Sequence, residues 1–560
     1  MSARVVSPLA FSFIVASLFS CQSETKHQVT NTMLNLKRGE IISCGPADGE
    51  IFGTISFTAS VPEDAKTDFN MAIALLHSFE YDEAEKMFAK VIDKHPGCAM
   101  AYWGVAMSNF HPLWAPPGKD ELEKGLQAVN IARSIKDKTE READYIEAIG
   151  RFFENAESNS HRERVLLFEK EMEKIYQKYK GDTESAVFYA LSLNAAAEPT
   201  DKTYSRQKKA IGILNALFEL NPMHPGLAHY IIHNSDYPAL AEMALPAARK
   251  YAAIAPASAH AQHMPSHIFT RLGLWKECIE SNLVATSAAK CYAQQAKLKG
   301  HWDEELHGMD YLMYAYLQRG DDKHAKQQLD YLYTIKEVEP LNFKVAYAFA
   351  AMPARYFLEK RMWKEAATLE GHVAGFPWQK FPWQRSIIHF TRVLGLVNLG
   401  DIQQAKKEVD SMRILHSVLN KTGGKTMEAS QVEVQIMTSE AWIAFKEGDH
   451  SKALRQMASA AVMEDATEKH PVTPGEVIPA RELLGEMLLQ MNEPALALKA
   501  FRLCLQTHAN RFHSLYGAAT AADKTGDKIT AREYFKKLME IADIEGLKRT
   551  GIKVKDHDDL

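Results

Sequence analysis

Residues 72–96, AIALLHSFEYDEAEKMFAKVIDKHP, decide the fold class of this chain. Two small residues, Ala72 and Ala84, stand where two consecutive helices must approach each other closely. Phe88 supplies an aromatic side chain on the second helix, and Pro96 ends that helix before the next segment begins. A hairpin of this kind buries its apolar face only against neighbouring hairpins, so the pattern predicts a stack of such units.

The same frame recurs along most of the chain. Further units begin near Ala99, Pro225, Ala259 and Leu306. Later turns between helices contain a glycine that can adopt the left-handed conformation and so end the first helix. These turns lie at Gly320, Gly400, Gly448 and Gly526, and a less typical turn lies at Asn492. A period of about 34 residues found about nine times predicts an all-α, tetratricopeptide-type helical-hairpin repeat solenoid.

The repeat frame and its interruptions predict the division of the chain into segments. These are 1–20, a signal peptide; 21–64, a lipidated tether and irregular lead-in; 65–375, an N-terminal helical repeat array; 376–385, a Pro/Trp insertion; 386–545, C-terminal helical repeats; and 546–560, a tail. Residues 137–222 are helical in pattern but lie outside the repeat frame.

The N-terminus has the pattern of an export signal. Arg4 precedes an apolar stretch that ends at Phe19, too short to span a membrane but typical of a signal peptide. Residues 18–21, LFSC, resemble a bacterial lipobox, in which Cys21 is lipidated and becomes the first mature residue. We therefore expect a bacterial cell-envelope protein, lipid-anchored to a membrane and facing the periplasm or the surface. An ordinary secretory signal is the alternative.

Composition and motifs exclude several classes of protein. The net charge is −5 with acids and bases spread along the chain, so no basic stripe indicates a nucleic-acid partner. No HExxH, P-loop or GxSxG motif is present, which removes the simplest protease, NTPase and hydrolase interpretations. The six cysteines form no dense framework; Cys278 and Cys291 are a possible pair, but small buried apolar residues are the default interpretation.

Two histidine pairs have the spacing that places side chains on one face of a helix. His229 and His233 form the first pair, and His263 and His267 form the second, one repeat of about 34 residues further on. The two pairs therefore occupy the same two positions of successive units, on the helix that lines the concave face. Asp236 continues this stripe.

The next unit extends the stripe and suggests a metal site. First helices of neighbouring units pack ~8–10 Å apart, so their imidazoles would meet around one ion at ~2.0–2.1 Å. Imidazole with carboxylate suits zinc, copper, iron or nickel. The predicted metal or polar-ligand residues are His229, His233, His263, His267, His307, Asp236 and Asp310. A metal-free polar pocket, structurally hydrogen-bonded histidines, and carboxylates that only orient the rings remain open.

Other residues are candidates for the lining of the groove. His260 precedes the second pair on the same helix. Trp103 either packs in the core or stacks on a ligand. Arg271 either holds a substrate carboxylate or bonds the last carbonyls of its helix. Pro265, inside the second pair, is expected either to be tolerated early in its helix or to rotate His263 away from His267.

Several stretches resemble a family of uncharacterised bacterial tetratricopeptide-repeat proteins, many of them exported. They include residues 98–104, CAMAYWG, residues 263–273, HMPSHIFTRLG, residues 306–312, LHGMDYL, and residues 511–517, RFHSLYG. The resemblance covers nearly all of residues 65–545. It implies the repeat fold but no catalytic role, because the family has no established activity.

Three functions follow from these patterns. The first is an exported binding protein whose groove holds a transition metal or a small polar ligand at the histidines. The second is a metal-free scaffold of the cell envelope that binds a protein or peptide. The third is a metal-dependent enzyme that uses the same histidines and a water on an open coordination position.

Overall fold

The computed structural model describes residues 1, 34–45, 51–113, 116–198, 200–422, 426–467 and 469–548. The predicted signal peptide and Cys21 lie outside these residues. The described chain forms two units, Met1–Ile41 with Thr54–Ala196 and Ile42–Gly53 with Ala197–Leu560. The division between the units follows Ala196. Within the predicted 376–385 insertion, Trp378–Lys380 forms a short 3-10 turn.

The first unit is built from helices alone. After a 3-10 turn at Glu63–Ala65, its helices are α1 (Lys66–His77), α2 (Tyr81–Lys94), α3 (Ala99–Ser108), α4 (Lys119–Ser134), α5 (Glu140–Phe153), α6 (His161–Lys178) and α7 (Thr183–Ala195). Capping boxes begin α5 and α6. The hydroxyls of Thr139 and Ser160 accept hydrogen bonds from the backbone N–H groups of Glu142 and Glu163, and the carboxylates of these glutamates accept from the backbone N–H groups of Thr139 and Ser160.

The second unit continues the same architecture. Its helices are α8 (Ser205–Phe218), α9 (Pro225–Ser235), α10 (Leu245–Ile254), α11 (Ala259–His263), α12 (Pro265–Leu272), α13 (Trp275–Gln295), α14 (Asp303–Arg319), α15 (Asp322–Thr334), α16 (Phe343–Glu359), α17 (Trp363–Ala367), α18 (Pro382–Leu399), α19 (Ile402–Lys421), α20 (Thr426–Lys446), α21 (His450–Ala466), α22 (Ala480–Gln490), α23 (Pro494–Thr507), α24 (Phe512–Lys524), α25 (Lys528–Ile541) and α26 (Ile544–Lys548). A 3-10 turn at Ala241–Ala244 precedes α10, and two short parallel strands, β1 (His301–Trp302) and β2 (Val338–Glu339), pair beside α14.

Helix contacts confirm the repeat prediction. Within each unit most helices pack on the next, and alternate helices also touch: α1 with α3 and α3 with α5 in the first unit, and α14, α16, α18 and α20 in succession in the second. This is the arrangement of stacked hairpins, in which the first helix of one hairpin contacts the first helix of the next. The chain is all-α, as predicted.

One packing device occurs in both units. An added Cβ on Gly104 would lie 2.3 Å from the ring of Phe88, and one on Gly517 would lie 2.3 Å from the ring of Phe501. Each phenylalanine lies on the second helix of a hairpin, and its glycine lies on the first helix of the next. Glycine is required there because the aromatic ring occupies the space of a side chain.

The lead-in before α1 packs against the folded chain instead of forming only a tether. Phe57 is buried and contacts the rings of Phe69 and Trp103 within the first unit. In the second unit, a disulfide joins Cys44 to Cys291 on α13. The default interpretation was therefore wrong for these two cysteines and right for Cys98, Cys278 and Cys504, which are buried and free.

Distant parts of the second unit also meet. The indole N–H of Trp275 donates to the backbone oxygen of Asn510, at 2.9 Å. The guanidinium of Arg511 donates to the hydroxyl of Tyr314, at 3.1 Å. The C-terminal hairpins therefore return onto α13 and α14. Among the described residues, no helix combines the length and the apolar character needed to cross a bilayer.

Candidate functional site

The predicted histidines lie on four helices of the second unit. His229 and His233 are on α9, His260 and His263 are on α11, His267 is on α12, and His307 is on α14. All are buried except His233, which is half-buried. They form two groups, not the single group that was predicted: triad A (His263, His267 and His307) and triad B (His229, His233 and His260). Within each triad, one ring nitrogen per residue lies within 4.8 Å of the others.

The proline inside the second pair does not separate its histidines. Pro265 is the first residue of α12 and divides that helix from α11. The Nε2 atoms of His263 and His267 nevertheless lie 3.1 Å apart. Proline is tolerated here because the first residues of a helix need no backbone N–H for the helical hydrogen bonds.

The partners of triad A determine which ring nitrogens carry hydrogen. The Nδ1 of His263 lies 2.6 Å from the Oδ1 of Asn282, whose own amide nitrogen donates to the carbonyl of Cys278. The Nδ1 of His267 lies 3.0 Å from Oδ2 of Asp236. Both Nδ1 atoms therefore donate, and because a neutral imidazole has one N–H, both Nε2 atoms carry bare lone pairs.

Two lone pairs that face each other at 3.1 Å repel unless a cation lies between them. The hydroxyl of Tyr311 lies 3.3 and 3.4 Å from the Nδ1 and Nε2 atoms of His267. This hydroxyl can therefore serve as a donor to His267, but Nε2 of His263 does not share it. His307 completes the triad, with its ring centroid 4.1 Å from that of His263.

Asp236 is the centre of a charged network behind His267. Arg271 donates from Nε to Oδ1 at 2.8 Å, and Lys469 donates from Nζ to Oδ2 at 2.9 Å. Burial alone would raise the pKa of Asp236, but the charges of Lys469 and Arg271 outweigh burial and hold that pKa well below its usual value. Asp236 is therefore an ionised acceptor that orients His267, and Arg271 also donates to the backbone oxygen of Asp236, at 2.7 Å.

Triad B is arranged around one nitrogen. The Nε2 of His229 lies 3.0 Å from Nε2 of His233 and 3.1 Å from Nε2 of His260. An imidazole nitrogen has either one hydrogen or one lone pair in the ring plane, so at most one of the two contacts is a well-directed hydrogen bond. Behind His260, Nδ1 lies 3.9 Å from Oε2 of Glu304, a carboxylate that also pairs with Lys344.

Burial favours the neutral ring in His233 and in the three histidines of triad A. Desolvation, with the neighbouring His260, lowers the pKa of His233 well below its usual value. Desolvation and the neighbouring His267 lower the pKa of His263 in the same way. Desolvation and the neighbouring His263 lower the pKa of His307. Desolvation also lowers the pKa of His267, although Asp236 opposes it. Neutral imidazole is the form that binds a metal.

The geometry fits a metal ion. Ligand nitrogens ~2.0–2.1 Å from an ion, at coordination angles near tetrahedral or octahedral, lie about 2.9–3.4 Å from one another. The Nε2 contacts of both triads, 3.0–3.1 Å, fall within this range. In triad A, Asp236 also lies behind His267 at hydrogen-bond distance, the usual way in which a protein orients a ligating imidazole.

Two predicted site residues lie elsewhere. Asp310 is buried in an ion pair with Arg355 and belongs to neither triad. Trp103 belongs to the first unit, where its ring packs against Tyr145 and Phe188 in an aromatic core. Of its two interpretations, packing is therefore the one the structure supports.

The face that bears the histidines is covered in part by the chain itself. Besides Lys469, the backbone oxygen of Gly475 accepts hydrogen bonds from Arg355 and Tyr347, at 2.7 and 3.1 Å. A cavity of about 340 Å³ remains beside the network and is lined by Arg271, Lys469 and Trp275, among others.

Sequence reasoning missed three contributors to the site. Asn282 lies on α13, a second helix, outside the stripe that the repeat frame selects. Lys469 is separated from Asp236 by 233 residues. Glu304 stands three residues before His307, and this spacing on one helix face is the signal that would have identified it.

The fold and the site define an all-α helical repeat protein with six clustered histidines. No family model and no curated protein matches the chain. Similar solved structures include the human IFIT1 dimer with m7Gppp-AAAA, at 12% identity and a TM-score of 0.32, covering 83% of this chain and 94% of that one. Another is the APC/C hetero-tetramer Cut9-Hcn1, at 10% identity and a TM-score of 0.27, covering 88% and 96%. Similarity this low carries no argument about the site.

Proposed function

We propose that this protein binds a transition metal ion, with triad A as its site. The observation that carries the proposal is the pair of bare Nε2 lone pairs of His263 and His267, 3.1 Å apart in a buried position. A cation placed beside both, with His307 as the third ligand, turns this repulsion into coordination. Three imidazoles suit zinc or copper, and three protein ligands leave a position open for water or a small anion.

A shared proton is the competing cation, and the surroundings disfavour it. Burial lowers the pKa of both His263 and His267, so protonation near neutral pH is unfavourable. Asp236 and Asn282 are both already used as acceptors for the Nδ1 hydrogens. A metal ion brings its own charge and satisfies both Nε2 atoms without adding a proton.

Metal titration of the purified protein tests the proposal. After chelation and gel filtration, the protein should bind Zn²⁺ or Cu²⁺ stoichiometrically by elemental analysis and calorimetry. Because the folded state alone presents triad A, metal at 100 times its Kd should stabilise the protein by about 2.7 kcal/mol. The double variant His263→Gln with His267→Gln, which roughly preserves side-chain volume, should lose the ion of triad A.

A matched control is His389→Gln. His389 is also buried and also paired with a carboxylate, that of Glu408, but it belongs to neither triad. This variant should bind metal as the wild type does. Wild-type protein that retains no stoichiometric zinc, copper, iron, cobalt or nickel would refute the proposal.

We further propose the bacterial cell envelope as the location, with Cys21 as the lipid-anchored residue. The Cys44–Cys291 disulfide supports this location, because disulfides persist in oxidising compartments such as the periplasm. Cys21→Ser should release the protein from the membrane fraction. If the variant stays in the membrane as fully as the wild type, the lipobox interpretation fails.

A further inference from the structure

We propose that triad B holds a second transition metal ion, so that the protein carries a two-ion centre. This inference deepens the proposed function, which concerns triad A alone. It rests on different residues, those of α9 and the beginning of α11.

The arrangement of nitrogens in triad B is the first argument. The Nε2 atom of His229 contacts the Nε2 atoms of both His233 and His260, at 3.0 and 3.1 Å, and one ring nitrogen of each residue lies within 4.8 Å of the others. One hydrogen serves only one of these contacts, because the nitrogen has a single direction in the ring plane for a hydrogen or a lone pair. An ion bound by all three nitrogens accounts for both distances at once.

The surroundings of His260 are the second argument. Glu304 faces its Nδ1 at 3.9 Å and pairs with the ammonium group of Lys344, which is half-buried. In triad A, Asp236 lies closer, 3.0 Å from Nδ1 of His267, and is held by Arg271 and Lys469. Each triad therefore has one imidazole that faces a carboxylate paired with a cationic side chain.

The two triads adjoin. The rings of His233 and His267, one from each triad, have centroids 6.5 Å apart. His260 of triad B and His263 of triad A stand on the same short helix. Each ion would have three protein ligands and an open position, which is the condition for a water or small anion to bind at a metal pair. Divalent zinc or copper is the class of ion that imidazole ligands select.

Counting ions on the wild-type protein is the decisive experiment and needs no variant. Chelated protein is loaded with Zn²⁺, passed through gel filtration and analysed for metal per chain. We expect two ions. One ion per chain, lost in the double variant His263→Gln with His267→Gln, would overturn the second site and leave the proposed function standing, whereas none would overturn both.

Paired variants assign each ion to its triad. The double variant His229→Gln with His233→Gln should retain one ion, and so should the double variant His263→Gln with His267→Gln. Two ions retained by the first double variant would overturn the assignment to triad B.

Cu²⁺ loading of the wild-type protein supplies a readout that is independent of folding in the variants. Two neighbouring Cu²⁺ ions should broaden or weaken the electron paramagnetic resonance signal below that of two isolated spins. Two undisturbed, isolated spins per chain would contradict a pair of adjoining ions.

Discussion

At the scale of single residues, the triads depend on groups that orient the histidines and are not themselves proposed as ligands. Asp236 is the clearest of these, since it accepts hydrogen bonds from His267, Arg271 and Lys469. In its ionised form it selects the ring form of His267 in which Nε2 carries a lone pair. We therefore expect its effect on the proposed metal binding to be separable from its effect on stability.

Asp236→Asn should weaken metal binding about 10- to 100-fold, the usual effect of removing the partner behind a ligating histidine. It should also lower the free energy of unfolding by about 3–5 kcal/mol, because it removes the negative charge that Arg271 and Lys469 contact in a buried position. Calorimetric titration and chemical denaturation measure the two effects separately.

Asp310→Asn is the control for this substitution. Asp310 is equally buried and also paired with an arginine, Arg355, but lies in neither triad. It should destabilise the protein while leaving metal affinity as in the wild type. Equal loss of affinity in both variants would show that Asp236 acts through stability alone.

At the scale of helices, the contact between an aromatic ring and a glycine of the next hairpin sets the spacing of the units. Gly104→Ala places a Cβ 2.3 Å from the ring of Phe88, so we expect a loss of about 1–3 kcal/mol from overpacking. Because hairpins contact mainly their neighbours, hydrogen exchange should accelerate within residues 54–196.

Gly97→Ala is the matched control on the same stretch of chain. Nothing lies within 4 Å of a Cβ built at Gly97, so this variant should keep the exchange rates of the wild type. Acceleration spread evenly over both units in the Gly104 variant would instead indicate one cooperative globule.

The repeat pattern predicted the helices well, but it did not predict the contacts between residues far apart in the sequence. The spacing of His229, His233, His263 and His267 follows from helical periodicity and the repeat length, and the structure places one pair in each of the two triads. Division into two triads depends on the direction of each ring. That direction is set by Asn282 and by residues hundreds of positions away, such as Lys469, which no local period identifies.

At the scale of the whole molecule, buried neutral histidines make stability depend on pH. Burial lowers the pKa of His470 to about 3, and its ring packs between Phe343 and Trp383, with both centroids 5.2 Å away. In the unfolded chain the pKa is about 6.5. Below pH 6.5 the unfolded state therefore binds a proton that the folded state does not, and stability falls as the pH drops from about 6.5 toward 3.

His470→Gln should flatten this dependence. Metal-free protein unfolded by denaturant at pH 6.5, 5.5 and 4.5 should lose about 1.4 kcal/mol less per pH unit in the variant than in the wild type, corresponding to about one proton. The exposed His450→Gln serves as the control. An unchanged slope in the His470 variant would mean that this ring takes up its proton in the folded state.

The disulfide between Cys44 and Cys291 has a consequence for the order of events during synthesis. Its two residues are separated by 247 positions, and residues 54–196, the body of the first unit, are translated between them. Residues 42–53 are therefore translated early but belong to the second unit. The helix that carries Cys291, α13, is translated much later. The thiol of Cys44 must stay reduced, or be held in a temporary bond, until that helix has been made. One of the first segments to be translated therefore waits longest for its covalent partner.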